Sequence, residues 1–396
     1  MTPQHAHYDV VIVGGAMLGS SVAWFLTDNP DFNGSILVVE RDPTYAWAST
    51  SHTNSCIRQQ FSAPINVRIS QFGADFVKNF RAYMGGDDRV PHPRLHSFGY
   101  MYLADNAGFA ATLQENQKVQ AACGAGTRHM TRDEIAAAYP FYNLDDIIAA
   151  NHNLVDEGYF DGNTLFDWWK RSARERGVEY ITNEVIAMNR NAAGTRVESV
   201  ILKSGEVVAC GTVVNASGPR AALTAQMAGI DLPVEPRKRY TYIFAAEKPL
   251  DRDLPLTIDP SGVHMRTDGT YYMAGCPPDH DPPVAPDDFT AGRAGGSRQR
   301  RLAEDAVDLD AGAHDLLAPG LLPAFVALAT IALQVESQQL AFDDEANRFA
   351  ARAGDHPEQP VQLVRHLRRR QLRVAYVEYH LLCFLSGLRD KYSGQV

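Results

Sequence analysis

The chain has 396 residues, 45% of them hydrophobic and 21% charged, with a formal net charge of -10. That mixture is an ordinary globular one, long enough for two or three structural units, and its negative balance argues against nonspecific binding to nucleic acid or to an anionic membrane. The five cysteines (56, 123, 210, 276 and 383) are scattered with no C-x-x-C pair, so neither a disulfide framework nor a zinc site is indicated and no metal is expected.

The N-terminal "MTPQHAH" lacks the basic-then-apolar pattern of a signal peptide, which makes the cytoplasm the expected compartment. The next residues, "VVIVGG", form a β-branched run suited to a parallel strand buried on both faces, and "SSVAWFL" continues as a helix. Gly14 to Gly19 therefore sit at a strand-to-helix turn, where unpaired N–H groups and a partial positive charge favour a phosphate. The spacing follows G-x-G-x-x-G, with Gly14 and Gly19 at the outer positions, Gly15 between them, and Ala16 in place of the middle glycine. A tight turn without a ligand is the plain alternative. "SILVVE" then ends in Glu40, 21 residues after Gly19, where a carboxylate at a strand tip accepts hydrogen bonds from an adenosine ribose, with Arg41 beside it. A solvated strand-end charge is the other reading of Glu40.

After Glu40 comes "RDPTYAWASTSHTNSCIRQQFS", a polar, hydroxyl-rich segment where a simple nicotinamide dehydrogenase would continue into another strand and helix. "FGYMYLADN" reads as the first strand of a second sheet, and "MTRDEIAAAYPFYN" as a capped helix before a turn. "RVESVILKSGEVVACGTVVNASGP" has the pattern of a hairpin whose last strand ends in small residues. "PVEPRKRYTYIFAAEKP" and "GVHMRTDGTYYMAG" alternate as antiparallel strands with one wet face, and "CPPDHDPPVAPDDF" is a loop or linker. No internal repeat is present.

Beyond about Thr290 the composition changes, with 12 arginines to one lysine against 18 to six upstream. The uncharged run 316–335 is interrupted by Pro319, Gly320 and Pro323; about a dozen residues remain, too few for a bilayer that needs about 20. The "RHLRRR" run reads as a solvated face rather than a nucleic-acid patch.

The segments "VVIVGGAMLGSS", "LVVERD", "STSHTNSCIRQQFS", "VDEGYFDGNTL", "NEVIAMN", "VVNASGP" and "SGVHMRTDGTYYMAG" together resemble the FAD-dependent amine oxidoreductases of the D-amino acid oxidase superfamily, which includes glycine oxidase, sarcosine oxidase and dimethylglycine dehydrogenase-like enzymes. The resemblance covers about residues 8–290. It implies an α/β (α+β overall) fold in which a Rossmann-like FAD-binding domain (1–80 and 150–220) is interleaved with an antiparallel-sheet substrate domain (81–149 and 221–290).

Implied too is an oxidation of the C–N bond of a small amino acid or N-methylated amine: a hydride passes to flavin N5, the imine hydrolyses, and oxygen or another acceptor takes the electrons. On this resemblance Val185 contacts the adenine region, unless it is a core strand residue only. Ala216, Ser217 and Gly218 bring a second backbone loop to the dinucleotide, and Ser49 and Ser51 lie along the pyrophosphate or flavin. Arg58, in the segment passing the flavin, is the first choice for holding the substrate carboxylate, with a surface ion pair as its alternative; Arg266 is the second. His264 could tune substrate protonation or be a satisfied core histidine. His52 occupies a position like that of a flavin-linked histidine in some relatives, and noncovalent FAD is the expectation.

Relatives close with a glycine-rich turn and a helix whose N-terminus faces the flavin. That signature is missing here, so residues 291–396 read as an atypical region, frame-changed and poorly packed, with a divergent helical region as the alternative. The functional alternative is a defective or noncatalytic flavin binder.

Overall fold

The computed structural model describes residues 1–278 and 280–289. The expectations for residues 291–396, including the frame change and the missing flavin-site lid, fall outside the described residues.

The chain opens with β1 (His7–Val13), α1 (Met17–Asp28), β2 (Ile36–Glu40), β3 (Cys56–Ile57), α2 (Pro64–Lys78) and the short α3 (Phe80–Tyr83). Next come β4 (Tyr100–Ala104), α4 (Ala107–Ala122), β5 (Arg128–Thr131), α5 (Arg132–Ala138), β6 (Ala149–Asn153), β7 (Gly158–Tyr159) and α6 (Gly162–Glu175). Then follow β8 (Glu179–Thr182), β9 (Val185–Arg190), β10 (Val197–Leu202), β11 (Val207–Asn215), α7 (Ala221–Met227), β12 (Thr241–Phe244), β13 (Leu256–Ile258), β14 (His264–Asp268) and β15 (Tyr271–Gly275).

Among the described residues, one sheet runs β8-β2-β1-β11-β10-β9 and a second runs β12-β15-β14-β13-β4-β6-β5. The chain visits the first, leaves for the second, returns, and leaves again, which is the interleaving expected. In the first sheet β8, β2, β1 and β11 are parallel, and β9–β10–β11 is an antiparallel meander. Val10 to Val13 and Ile36 to Val39 are buried without a break, because a parallel sheet covered on both faces leaves no wet side for alternation. One face packs Val11, Val13, Leu37 and Val39 against Val200, Leu202 and Val208 of the meander.

Near the sheet, three helices meet at an aromatic cluster. Phe76 of α2 lies 6.0 Å from Trp24 and 5.7 Å from Phe25 of α1, and 5.6 Å from Trp169 of α6, between ring centroids. Such offset and edge contacts add to the apolar burial itself.

The second sheet is antiparallel except where β13 lies parallel to β4. Beneath it, Met101, Leu103, Met130 and Ala150 pack on Ile135 and Tyr139. The helix α5 starts with a full capping box: Thr131 Oγ1 accepts from Glu134 N, and Glu134 Oε2 accepts from Thr131 N at 2.8 Å. A boundary drawn at residue 150 cuts through β6, which belongs to this second sheet; the return to the first comes with α6 and β8. The ribbon β3–β7 belongs to neither sheet and connects the segment after the glycine turn to the strand preceding α6.

Truncating the ring that all three helices share should leave a cavity that they cannot close. Phe76→Ala is expected to destabilise the protein by about 3–5 kcal/mol, read as a lowered denaturation midpoint with unchanged secondary structure before the transition.

Candidate cofactor and substrate site

At the end of β1, Gly14 N donates to Val39 O of β2 (2.9 Å), and Ala216 N, just past β11, donates to Val13 O (2.9 Å). These bonds bring three chain segments to one point. Gly14 adopts a φ of +98°, and a Cβ on it would overlap the Ala216 carbonyl; a Cβ on Gly19, in the first turn of α1, would overlap the Gly14 carbonyl. Only glycine fits either place.

The N-cap of α1 is Ala16, whose side chain caps nothing, and the first turn holds no acidic residue. Ser20 holds the turn from below, its hydroxyl donating to Gly15 O (2.7 Å). Met17 N finds Thr50 Oγ1 at 3.3 Å. An N-terminus with a positive dipole and no acidic residue in its first turn suits a pyrophosphate.

Glu40 stands at the tip of β2, its Oε2 accepting from Gly15 N and its Oε1 from Asp42 N, both at 2.8 Å. Each oxygen keeps a further lone pair for a ribose hydroxyl. Arg41 pairs with Asp287 at 2.8 Å and approaches Glu184 at 3.9 Å. Val185 is buried in the first sheet's core, paired with Leu202. Ser217 Oγ donates to Asn215 Oδ1 (2.7 Å) and accepts from Thr224 (2.8 Å), fixing the Ala216–Ser217–Gly218 loop. Asn215 and Thr224 carry no sequence signal of their own.

Along the hydroxyl-rich segment, Ser49 Oγ is buried without a hydrogen-bond partner, an orphan of the kind a bound ligand satisfies. Ser51 Oγ donates instead to Tyr45 O (2.8 Å). His52 Nε2 lies 2.7 Å from Ala46 O, and because a carbonyl only accepts, that nitrogen carries the proton. The glycine cradle, the open helix end, Glu40 and the orphan hydroxyl fit an adenine dinucleotide.

On the substrate side Arg58 is half-buried, its guanidinium 4.5 Å from the centre of the Phe61 ring. Arg266 is 3% exposed; its Nη1 donates to Thr267 O (2.8 Å) and to Asp268 (2.9 Å), and its Nη2 to Asn54 O (3.4 Å). The rings of Tyr159 and Phe98 lie 5.1 and 5.8 Å from it. His264, two residues earlier on β14, faces Gly262 O at 3.4 Å, and burial lowers its pKa toward the neutral form. Arg58 and Arg266 thus converge on one segment, Asn54–Phe61.

The residue missed by sequence is Glu157. It has no exposed surface, and burial pushes its carboxyl up to about 7 against the opposing pull of its hydrogen bonds and of Arg58. Among the described residues no group of three or more His, Cys, Asp or Glu could hold a metal ion, and no helix is long and apolar enough to cross a membrane.

Comparison with known proteins finds the family model described as FAD dependent oxidoreductase over residues 9–325, which extends past residue 290. "FAD-dependent oxidoreductase domain-containing protein 1" of Xenopus laevis is 35% identical over 311 residues, covering 70% of this chain and 62% of the relative. The Drosophila melanogaster homolog is 29% identical over 293 residues, covering 66% and 56%. The match thus spans about three fifths of these relatives' length. The fold is shared with L-proline dehydrogenase from P. horikoshii (TM-score 0.61, 21% identity, 76% of this chain and 77% of that one). It is shared too with glycine oxidase from Geobacillus kaustophilus (0.60, 19%, 77% and 80%).

Glu157 generates a prediction about stability. Its folded pKa lies above that of the unfolded chain, so its contribution is fully present below about pH 4.3 and is lost as pH rises through 7. Stability should fall across that window by up to about 3 kcal/mol more in the wild type than in Glu157→Gln, which does not titrate. Melting temperatures taken from pH 5 to pH 8 measure the difference in slope.

Proposed function

The chain belongs to the FAD-dependent oxidoreductase family, and from that membership we propose that it oxidises the C–N bond of a small amino acid or N-methylated amine, with Arg58 holding the substrate carboxylate. The observation that carries the reading is Arg58 itself, a half-buried arginine on the segment that joins the nucleotide turn to the second sheet. FAD, when bound, supplies the two-electron acceptor.

The chain's own part is binding and orientation. Gly14, Gly15, Ala16 and Gly19 form the tight turn that lets the pyrophosphate approach the positive end of α1, Glu40 takes the ribose, and Arg41, Val185 and the 216–218 loop flank the adenosine. Ser49 and Ser51 run along the far side of the cofactor, and its attachment is noncovalent, with His52 engaged by Ala46 O. Arg58 orients the substrate through a planar, bidentate fork, so that the carbon bearing the nitrogen is fixed relative to the cofactor. Arg266 supports the same segment through Asn54 O, and His264, whose neutral form burial favours, adds no positive charge beside it. The two structural neighbours, a proline dehydrogenase and a glycine oxidase, are by name proteins acting on amino acids. Oxygen or another electron acceptor completes the cycle.

The decisive experiment is anaerobic titration of the purified, FAD-loaded protein with a panel of N-methylated and primary amino acids. Bleaching of the flavin absorbance is the expected outcome; bound flavin that no amine bleaches would favour a noncatalytic flavin binder.

Removing the ribose acceptor isolates the cofactor half. Glu40→Ala should weaken FAD binding about tenfold or more, the loss of a charge-assisted hydrogen bond, measured by equilibrium dialysis of the folded variant. For the substrate half, Arg58→Lys keeps the charge and loses the fork. It should raise KM for an amino acid about tenfold while FAD affinity stays unchanged; steady-state kinetics beside a flavin titration separate the two.

A further inference from the structure

Each carboxylate oxygen of Glu157 accepts a hydrogen bond from the same chain segment. Oε1 accepts the backbone N–H of Gln59 at 2.6 Å, and Oε2 accepts Nε2–H of Gln60 at 2.9 Å. Gln60 Nε2 donates also to Tyr100 O of β4 (3.0 Å), and Gln59 Nε2 to Val155 O (3.0 Å). On the other side of Arg58, Ile57 pairs with Gly158 and Cys56 with Tyr159. Phe160 N donates to Ser55 O at 3.0 Å.

Arg58 therefore lies between two anchored neighbours: Ile57 in the ribbon and Gln59 on Glu157. Anchors on both sides restrict the point from which its side chain starts. Gln59 and Gln60 are buried at 3% and 8% exposure. Holding a carboxylate among neutral amide donors in such a place costs more than filling it with apolar side chains would. What the carboxylate supplies is two acceptors at a set spacing, and through them an orientation.

We propose that Glu157 is a positioning residue of the amine-oxidising site, fixing the Asn54–Phe61 segment and through it aiming the Arg58 guanidinium at the substrate carboxylate. The inference rests on the reading of Arg58 given above. With no exposed surface, Glu157 would act through this segment and not by contact with a ligand.

Glu157→Gln tests this with little change of shape. Its new NH2 group faces either the Gln59 N–H or the Gln60 NH2, so a donor meets a donor. Gln60→Met, which removes one of the two bonds without creating that conflict, is the second variant and guards against a Glu157→Gln that does not fold. Both are compared with the wild type and Arg58→Ala as FAD-loaded full chains, using benzoate, a carboxylate without an amine, and following the flavin absorbance as it binds. Hydrogen exchange at the Gln59 amide reports on the segment, and FAD content is the control.

In Glu157→Gln and Gln60→Met the benzoate dissociation constant should rise about tenfold, with faster exchange at Gln59 and unchanged FAD content. Wild-type benzoate affinity in both variants, alongside weakened binding in Arg58→Ala, would overturn the proposal alone, even if exchange were faster, because Glu157 would then be structural only. Wild-type affinity in Arg58→Ala would overturn the reading of Arg58, and the proposal with it.

Discussion

The nucleotide end of the molecule depends on one close approach: the carbonyls of Gly14 and Ala216 lie where side chains on Gly19 and Gly14 would otherwise stand. The approach is set by pairing, because β1 lies parallel to β2 on one side and to β11 on the other, so that all three strands end at the same level. Once the backbones are that close, the chain turns directly into α1 and presents the positive end of that helix. The lack of a capping side chain on α1 and the orphaned Ser49 hydroxyl follow the same logic. These groups are left for a ligand that the protein does not carry in its own sequence.

The substrate side is built differently. Asn54–Phe61 is held by side chains reaching from distant parts of the chain: Glu157 from the loop before β7, and Arg266 from β14. Backbone pairing contributes the two-residue ribbon β3–β7 and the flanking bond from Phe160 N to Ser55 O. Arrangements of this kind tolerate few substitutions at the anchor residues, yet the residue they present can vary. A family that keeps its cofactor and changes its amine would place its constraints in this way.

This difference explains what could be read from the sequence. The glycine turn, Glu40 at a strand tip, the β10–β11 hairpin and the Thr131–Glu134 capping box are all local patterns, with turn chemistry or periodicity confined to a few residues. Glu157 has no such pattern, for its partner Gln59 is 98 residues away. The strand β6 escaped notice for another reason. Its residues "AANHN" look polar but all five are buried, because Asn151 donates to Leu113 O (2.6 Å) and His152 bonds the Tyr139 hydroxyl (3.0 Å). Polar residues satisfied inside a sheet leave no hydrophobic alternation to read. The parallel join of β13 to β4 is likewise a matter of tertiary order alone.

The two arginines singled out by sequence differ in their physical setting. Arg266 is enclosed at 3% exposure, with Asp268 at 2.9 Å and carbonyls on both of its terminal nitrogens while its Nε has no partner, so a substrate carboxylate would have to enter the core to reach it. Arg58 is half-buried, and Glu157, on whose carboxyl it acts electrostatically, is pushed by burial toward the protonated form, so that at neutral pH it carries less than a full negative charge. On the proposed reading, the burial that raises the Glu157 carboxyl also leaves the Arg58 charge less than fully compensated from within the protein, which a fully ionised, solvated glutamate at that place would not do.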